Sequence, residues 1–263
     1  MQSPSNHSRQ ILALILLTVT FDVASAQDAF FPDDTTLDVS NPVIGNAFVG
    51  YANLDDYLNG QNGTSPTVSM VVGASVDLNM QMFNASTLNM IAGTVGTNFG
   101  SVLAYDQSAV NLSGGFVGQN VETQGNSTFN FSEGTVGNDV ILYDNTSALI
   151  TGGTLGHSLL MNFDSNVEIR GGTVVADIFV QETSALVMYG TDLTKTLTDS
   201  NFQGFYSQYT LTGHLLDNTD LTGRTVLVQN DSGAEFSINT VPEPCTILLV
   251  GGLLATLRLR RRK

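Results

Sequence analysis

Proton-transfer chemistry in this chain has few bases to draw on. Between residues 27 and 240 the only positively charged side chains are Arg170, Lys195 and Arg224, joined by His157 and His214. A lyase acting on uronate sugars needs a base to take a proton and often a second cation to neutralise the carboxylate, so these are the candidates. They are scattered along the chain, and His157, directly after Gly156, reads as a polar turn residue. Carboxylates are plentiful by contrast. A glycosidase needs two of them at a set separation, but no pair stands out from a corner pattern that includes Asp106, Asp144, Asp164 and Glu182. Stacked turns of chain would place some of these in a column, and oxygen-only ligands suit calcium. Solvated turn residues are the plainer reading, so no cofactor is assigned and calcium alone stays open. No Ser-His-Asp spacing, phosphate loop or histidine cluster is present, and no catalytic residue or metal ligand is assigned.

The elements that would position such groups form a repeat. Lines opened at Ser65, Ser86, Ser108, Ser127, Ser147, Ser165 and Ser184 are spaced 21, 22, 19, 20, 18 and 19 residues apart. Each opens with an alternating strand, such as Ser86-Thr-Leu-Asn-Met or Ser127-Thr-Phe-Asn-Phe, in which the third and fifth residues are apolar. A glycine corner follows, as in Gly114-Gly115-Phe116-Val117-Gly118 or Gly152-Gly153-Thr154-Leu155-Gly156, and a second alternating strand such as Asp139-Val-Ile-Leu-Tyr143 closes the line. A period near 20 built only from short strands and turns predicts a parallel β-helix, or β-solenoid, with stacked rungs ~4.8 Å apart. Leucine-rich repeats need a leucine frame that is missing, and a propeller blade needs about twice the length. Residues 65–189 are therefore expected to form the solenoid, residues 27–64 an N-terminal cap and residues 190–240 a β-rich C-terminal cap. In the last segment Phe202, Phe205, Tyr206 and Tyr209 are expected to pack over the final rung; a sugar-stacking surface is the alternative.

Charge narrows the partners. The chain has 24 acids and 9 bases, and residues 27–240 hold 22 of the acids against 3 of the bases, a formal charge of −19. Nucleic acid, anionic lipid and anionic polysaccharide are poor partners for such a surface. Neutral sugars, cationic partners and divalent cations remain. The one cysteine, Cys245, lies near the C-terminal end, so residues 27–240 can form no disulfide and no thiolate metal site.

Both ends read as sorting signals. Arg9 precedes an apolar stretch from Ile11 to Phe21, and Ala24-Ser25-Ala26 follows as a small-x-small cleavage site. This is the pattern of a secretory signal peptide over residues 1–26, with Gln27 as the expected mature N-terminus. At the other end Pro242-Glu243-Pro244 is followed by an apolar run from Cys245 to Leu257 and a basic cluster of Arg258, Arg260, Arg261, Arg262 and Lys263. The apolar run is short for a ~30 Å bilayer core, and the cluster would hold its end on the cytoplasmic side.

The order of motif, apolar segment and basic end over residues 241–263 resembles the PEP-CTERM sorting domain of exported bacterial proteins. That resemblance implies a transient transmembrane helix and processing by an exosortase-type transpeptidase at Pro242, Glu243 and Pro244. It also implies association with exopolysaccharide and biofilm. Signal peptidase, acting after Ala24-Ser25-Ala26, is the other expected processing partner. Together the readings predict a structural or adhesive protein of a bacterial cell surface or extracellular matrix, with no nucleic acid partner. The alternative is a polysaccharide-degrading lyase or glycosidase on the same scaffold.

Overall fold

The computed structural model of the protein describes residues 28–31, 36–39, 42–51, 65–97 and 99–241. Among the described residues the regular elements are all strands, and no helix is long and apolar enough to cross a membrane. The chain winds as a parallel β-solenoid with three faces. The first face stacks Thr67–Met70, Thr87–Met90 and the opening halves of Ala109–Val117, Thr128–Val136, Ser147–Leu155 and Asn166–Val174, then the start of Ala185–Phe202. Partners along this face step by 20 and 22 residues and then settle at 19. The third face stacks three-residue strands such as Val121–Thr123, Val140–Leu142 and Leu159–Met161. Between them lies a second face only two residues wide, Ser75–Val76 on Thr94–Val95 and then the closing halves of the nine-residue strands. The glycine corner thus contains a third strand where the sequence predicts only a turn: its Thr-Val pair turns one side chain out and one in. The described part of residues 28–49 already carries one turn of the same three faces, pairing onto the next.

Alternation sorts each strand. Leu88, Val110, Phe129, Ala148, Val167 and Leu186 point inward from the first face and are buried, as are Val95, Val117, Val136 and Leu155 from the second and Val121, Val140 and Leu159 from the third. Bulk is balanced along the stack: Phe129 pairs with Ala148 in the next turn, so a large side chain borrows the space a small one leaves. Glycine is needed at the first corner for want of room, not only for backbone angle. A Cβ on Gly152 would lie 2.1 Å from the carbonyl oxygen of Ser132 in the turn before, and Gly153 beside it has φ near 80°.

A column of hydroxyls opens the first face. Ser86, Ser108, Ser127, Thr146, Ser165 and Ser184 are all fully or almost fully buried. Two positions depart from the serine register expected from the sequence. Ser147 pairs with Thr128 and Asn166, one place along the strand, so Thr146 fills the buried position and the steps are an even 19. Likewise the Thr87 amide bonds to the carbonyl of Pro66, which makes Pro66 rather than Ser65 the opener of its turn.

The solenoid ends in a cap that grows out of its last turn. The strand Ala185–Phe202 continues past the first face and folds back antiparallel against Tyr206–Leu215. That strand pairs with Thr225–Gln229, which completes the third face on Ile178–Val180. Leu193, Leu211, Leu215 and Leu221 bury themselves over the open end of the core. The chain then lays a last strand, Glu235–Thr240, parallel on the first face beside Ala185–Gly190. Of the cap aromatics, Tyr206 packs edge-on against Phe179 of the last turn and Tyr209 against Phe236 within the cap, whereas Phe205 is exposed.

Candidate functional site

The outer side of the first face carries the most continuous set of recognition groups. Asn89, Asn111 and Asn130 occupy one place in three successive turns. The side-chain amide of Asn111 donates to the Asn89 oxygen at 2.9 Å and that of Asn130 to Asn111 at 2.8 Å. Each turn repeats the same donor and acceptor ~4.8 Å further along the axis. Beyond Asn130 the face hollows into a shallow trough of about 440 Å³ whose polar lining is Thr128, Asn130, Ser147, Asn166 and Glu168. Glu168 is paired with Arg170 at 2.8 Å, and the Arg170 guanidinium lies 5.0 Å from the centre of the Tyr189 ring. The column runs from three amides to Leu149, Glu168 and Val187, and an amide ladder beside a partly apolar trough can offer both hydrogen bonds and flat contact to a chain of hydroxyl groups. Alternation in the sequence predicts a strand face turned to solvent but not that three asparagines in register make a ladder.

The corner carboxylates have a structural task. The third face turns into the first through a residue with positive φ in every turn: Asn84, Asp106, Gly125, Asp144, Phe163 and Glu182. Asp106 accepts the Asn84 amide at 3.0 Å, Asp144 accepts that of Gly125 at 3.0 Å, and Glu182 accepts that of Phe163 at 2.8 Å. Each carboxylate therefore caps the amide of the turn before it, and successive caps stand two turns, roughly 9.6 Å, apart. Asp164 lies one residue further on and accepts the Thr183 hydroxyl. Such spacing keeps Asp106, Asp144 and Glu182 from sharing one ion, and among the described residues no three His, Cys, Asp or Glu side chains are placed to hold a metal. A second column works in the opposite sense where the second face meets the third. There Asn79 accepts the amide of Ser101, Asn120 that of Asp139, and Asp139 that of Ser158.

The candidate bases do not converge. His157 comes closest to a catalytic arrangement, because the solenoid brings Asp139 from the preceding turn beside it and Ser158 is its neighbour. Both contact the same ring nitrogen, Nδ1, at 2.7 and 3.3 Å. A Ser-His-Asp triad needs the hydroxyl and the carboxylate on opposite nitrogens, so this is a corner contact. In the cap, hydrogen bonding from Thr222 lowers the pKa of Asp220, with smaller contributions from the nearby His214 and Arg224. Lys195 also sits in the cap. Its ammonium lies over the rings of Phe236 and Tyr209, at 4.6 and 5.4 Å from their centres, and donates to the Phe236 carbonyl. Burial holds that ammonium below the ordinary lysine pKa.

The processing residues Ala24, Ala26, Pro242, Glu243 and Pro244, and the basic cluster from Arg258 to Lys263, lie outside the described residues. The fold runs right up to that tail: the Val241 amide still bonds to the Gly190 carbonyl at 2.7 Å. The chain matches no family model, no curated protein and no solved structure.

Proposed function

We propose that the protein is exported, trimmed at both ends, and serves as a structural or adhesive component of a bacterial cell surface or extracellular matrix. On this reading signal peptidase cuts after Ala26, and an exosortase-type transpeptidase acts at Pro242-Glu243-Pro244 while the apolar run and the basic cluster hold the chain at the inner membrane. The partner outside is a neutral exopolysaccharide lying along the first face. The observation that carries this reading is the outer side of the first face, where Asn89, Asn111 and Asn130 repeat one uncharged donor and acceptor through three turns and a trough with Thr128, Ser147 and Asn166 in its lining follows. An acidic body supports a neutral rather than a uronate-rich chain, because like charges would face each other across the contact.

Mass spectrometry of both termini of the protein recovered from its host tests the export half. A chain from Gln27 to the neighbourhood of Pro244 is expected, and an intact arginine-rich tail overturns it. Co-sedimentation with neutral and uronate-containing polysaccharides tests the other half. Retention on the neutral chain, lost on Asn111→Ala with Asn130→Ala, is expected. Release of new reducing ends or unsaturated sugars would instead establish the degrading enzyme, and substitution of His157, His214 or Lys195 would then locate its base.

A further inference from the structure

The last strand, Glu235–Thr240, is an edge: among the described residues it pairs only with Ala185–Gly190. In a parallel ladder the amide and carbonyl of one residue point to the same neighbour, and the next residue's point away. Glu235 and Val241 donate inward to Ser184 and Gly190, so the backbone groups of Phe236, Ile238 and Thr240 face outward. Their arrangement is self-complementary. A second copy of this strand, laid antiparallel about Ile238, would exchange hydrogen bonds between the two Ile238 residues and between each Phe236 and the other Thr240. One element obstructs that pairing. Lys195, reaching over from the cap, gives its ammonium to the outward carbonyl of Phe236 and covers the rings of Phe236 and Tyr209.

We propose that Lys195 is a gatekeeper of this edge, and that the surface it guards is an antiparallel pairing site for a second copy of the chain through Glu235–Thr240. The placement is chemically apt. Residues 27–240 have only three fixed cations, and one of them donates to an outward carbonyl of this strand, that of Phe236. A lysine over an exposed edge is a common means of preventing strand addition, because extending the sheet would bury its charge. When the ammonium is withdrawn, the pairing groups on both copies are free.

The test is sedimentation velocity on the full chain in detergent, comparing the parent with Lys195→Met, Lys195→Arg and the double variant Lys195→Met with Ile238→Pro. Lys195→Met keeps the packing on the two rings but loses the donor, and should lower the dimer dissociation constant roughly tenfold or more. Lys195→Arg retains a charged donor and should match the parent. Proline at 238 removes an outward amide but no bond to the neighbouring strand, so the double variant should return to the parent's behaviour. Amide exchange gives a second readout: the Ile238 amide should gain protection on concentrating Lys195→Met and not the parent. Equal association of the parent and Lys195→Met overturns the proposal, as does association that persists in the double variant or association of Lys195→Met without protection of its Ile238 amide. Association driven by the apolar tail would be common to all four chains and would appear as that first outcome.

Discussion

Residues at the third-to-first corner do one job with side chains of very different fitness for it. The left-handed conformation there is easy for Asn84, Asp106, Gly125 and Asp144, whose short side chains or lack of Cβ tolerate it, but costly for Phe163, which holds φ near 56°. Phe163 is also 47% exposed, so little packing offsets that strain. Phe163→Asn should therefore raise unfolding stability by about 0.5–1 kcal/mol, seen as a higher denaturant midpoint at unchanged slope. The pH behaviour of Lys195 can be signed in the same way. Its folded pKa is lowered by burial, so between that value and the ordinary lysine pKa the unfolded chain binds more protons and stability rises with pH. Chemical unfolding across this alkaline range should show that rise in the parent and lose it in Lys195→Met. An unchanged profile in the variant would mean that another group is responsible.

At the scale of the element, the buried hydroxyl column sets sequence habit against energetics. Ser86, Ser108, Ser127, Thr146 and Ser165 have no hydrogen-bond partner for their hydroxyls among the described residues, whereas the Ser184 hydroxyl donates to the Gln181 carbonyl. Burying an unpaired hydroxyl costs about 1–3 kcal/mol, so Ser127→Ala should be neutral or stabilising by up to about 1 kcal/mol. Ser184→Ala should destabilise by about 1 kcal/mol. Thermal unfolding of the two variants side by side decides the matter; equal losses would show that Ser127 has a partner after all. The same column departs from the serine repeat at two places. Serines at 65 and 147 looked like members of the series, but residues 66 and 146 take the buried places. Burial there selects for a small side chain, which proline or threonine supplies as well as serine.

The whole molecule is quasi-one-dimensional: each turn touches the ones before and after it, and damage should spread from turn to turn. Gly152→Ala would drive a methyl group into the Ser132 carbonyl and should cost about 2–4 kcal/mol. Hydrogen exchange should show the loss of protection centred on the turns on either side, Thr128–Val136 and Asn166–Val174, and fading toward both ends. Uniform loss along the rod would instead mark a single cooperative unit. The cap makes the C-terminal end different in kind. Asp217 accepts the amide of Gly172 at 2.6 Å, Leu216 donates to the Arg170 carbonyl and Arg224 to that of Val175, so a loop takes the place where a further glycine corner would lie.

Much of this protein was written in its sequence by periodicity. Alternating strands, glycine corners near every twentieth residue and a −19 body specify stacked β-turns of chain with an acidic exterior, because each of those features acts within a single turn. What the tertiary structure alone decided lies between turns. The two-residue second face is too short to show a period. Which carboxylate caps which amide depends on residues 19 or 22 positions apart meeting across the stack. The contact of His157 with Asp139 through Nδ1 depends on the register of adjacent turns, and the reach of Lys195 to Phe236 spans 41 residues. Local pattern fixes the repeating unit; the juxtapositions that give it an asparagine ladder, a capped end and a lysine over its last strand arise only when the units stack.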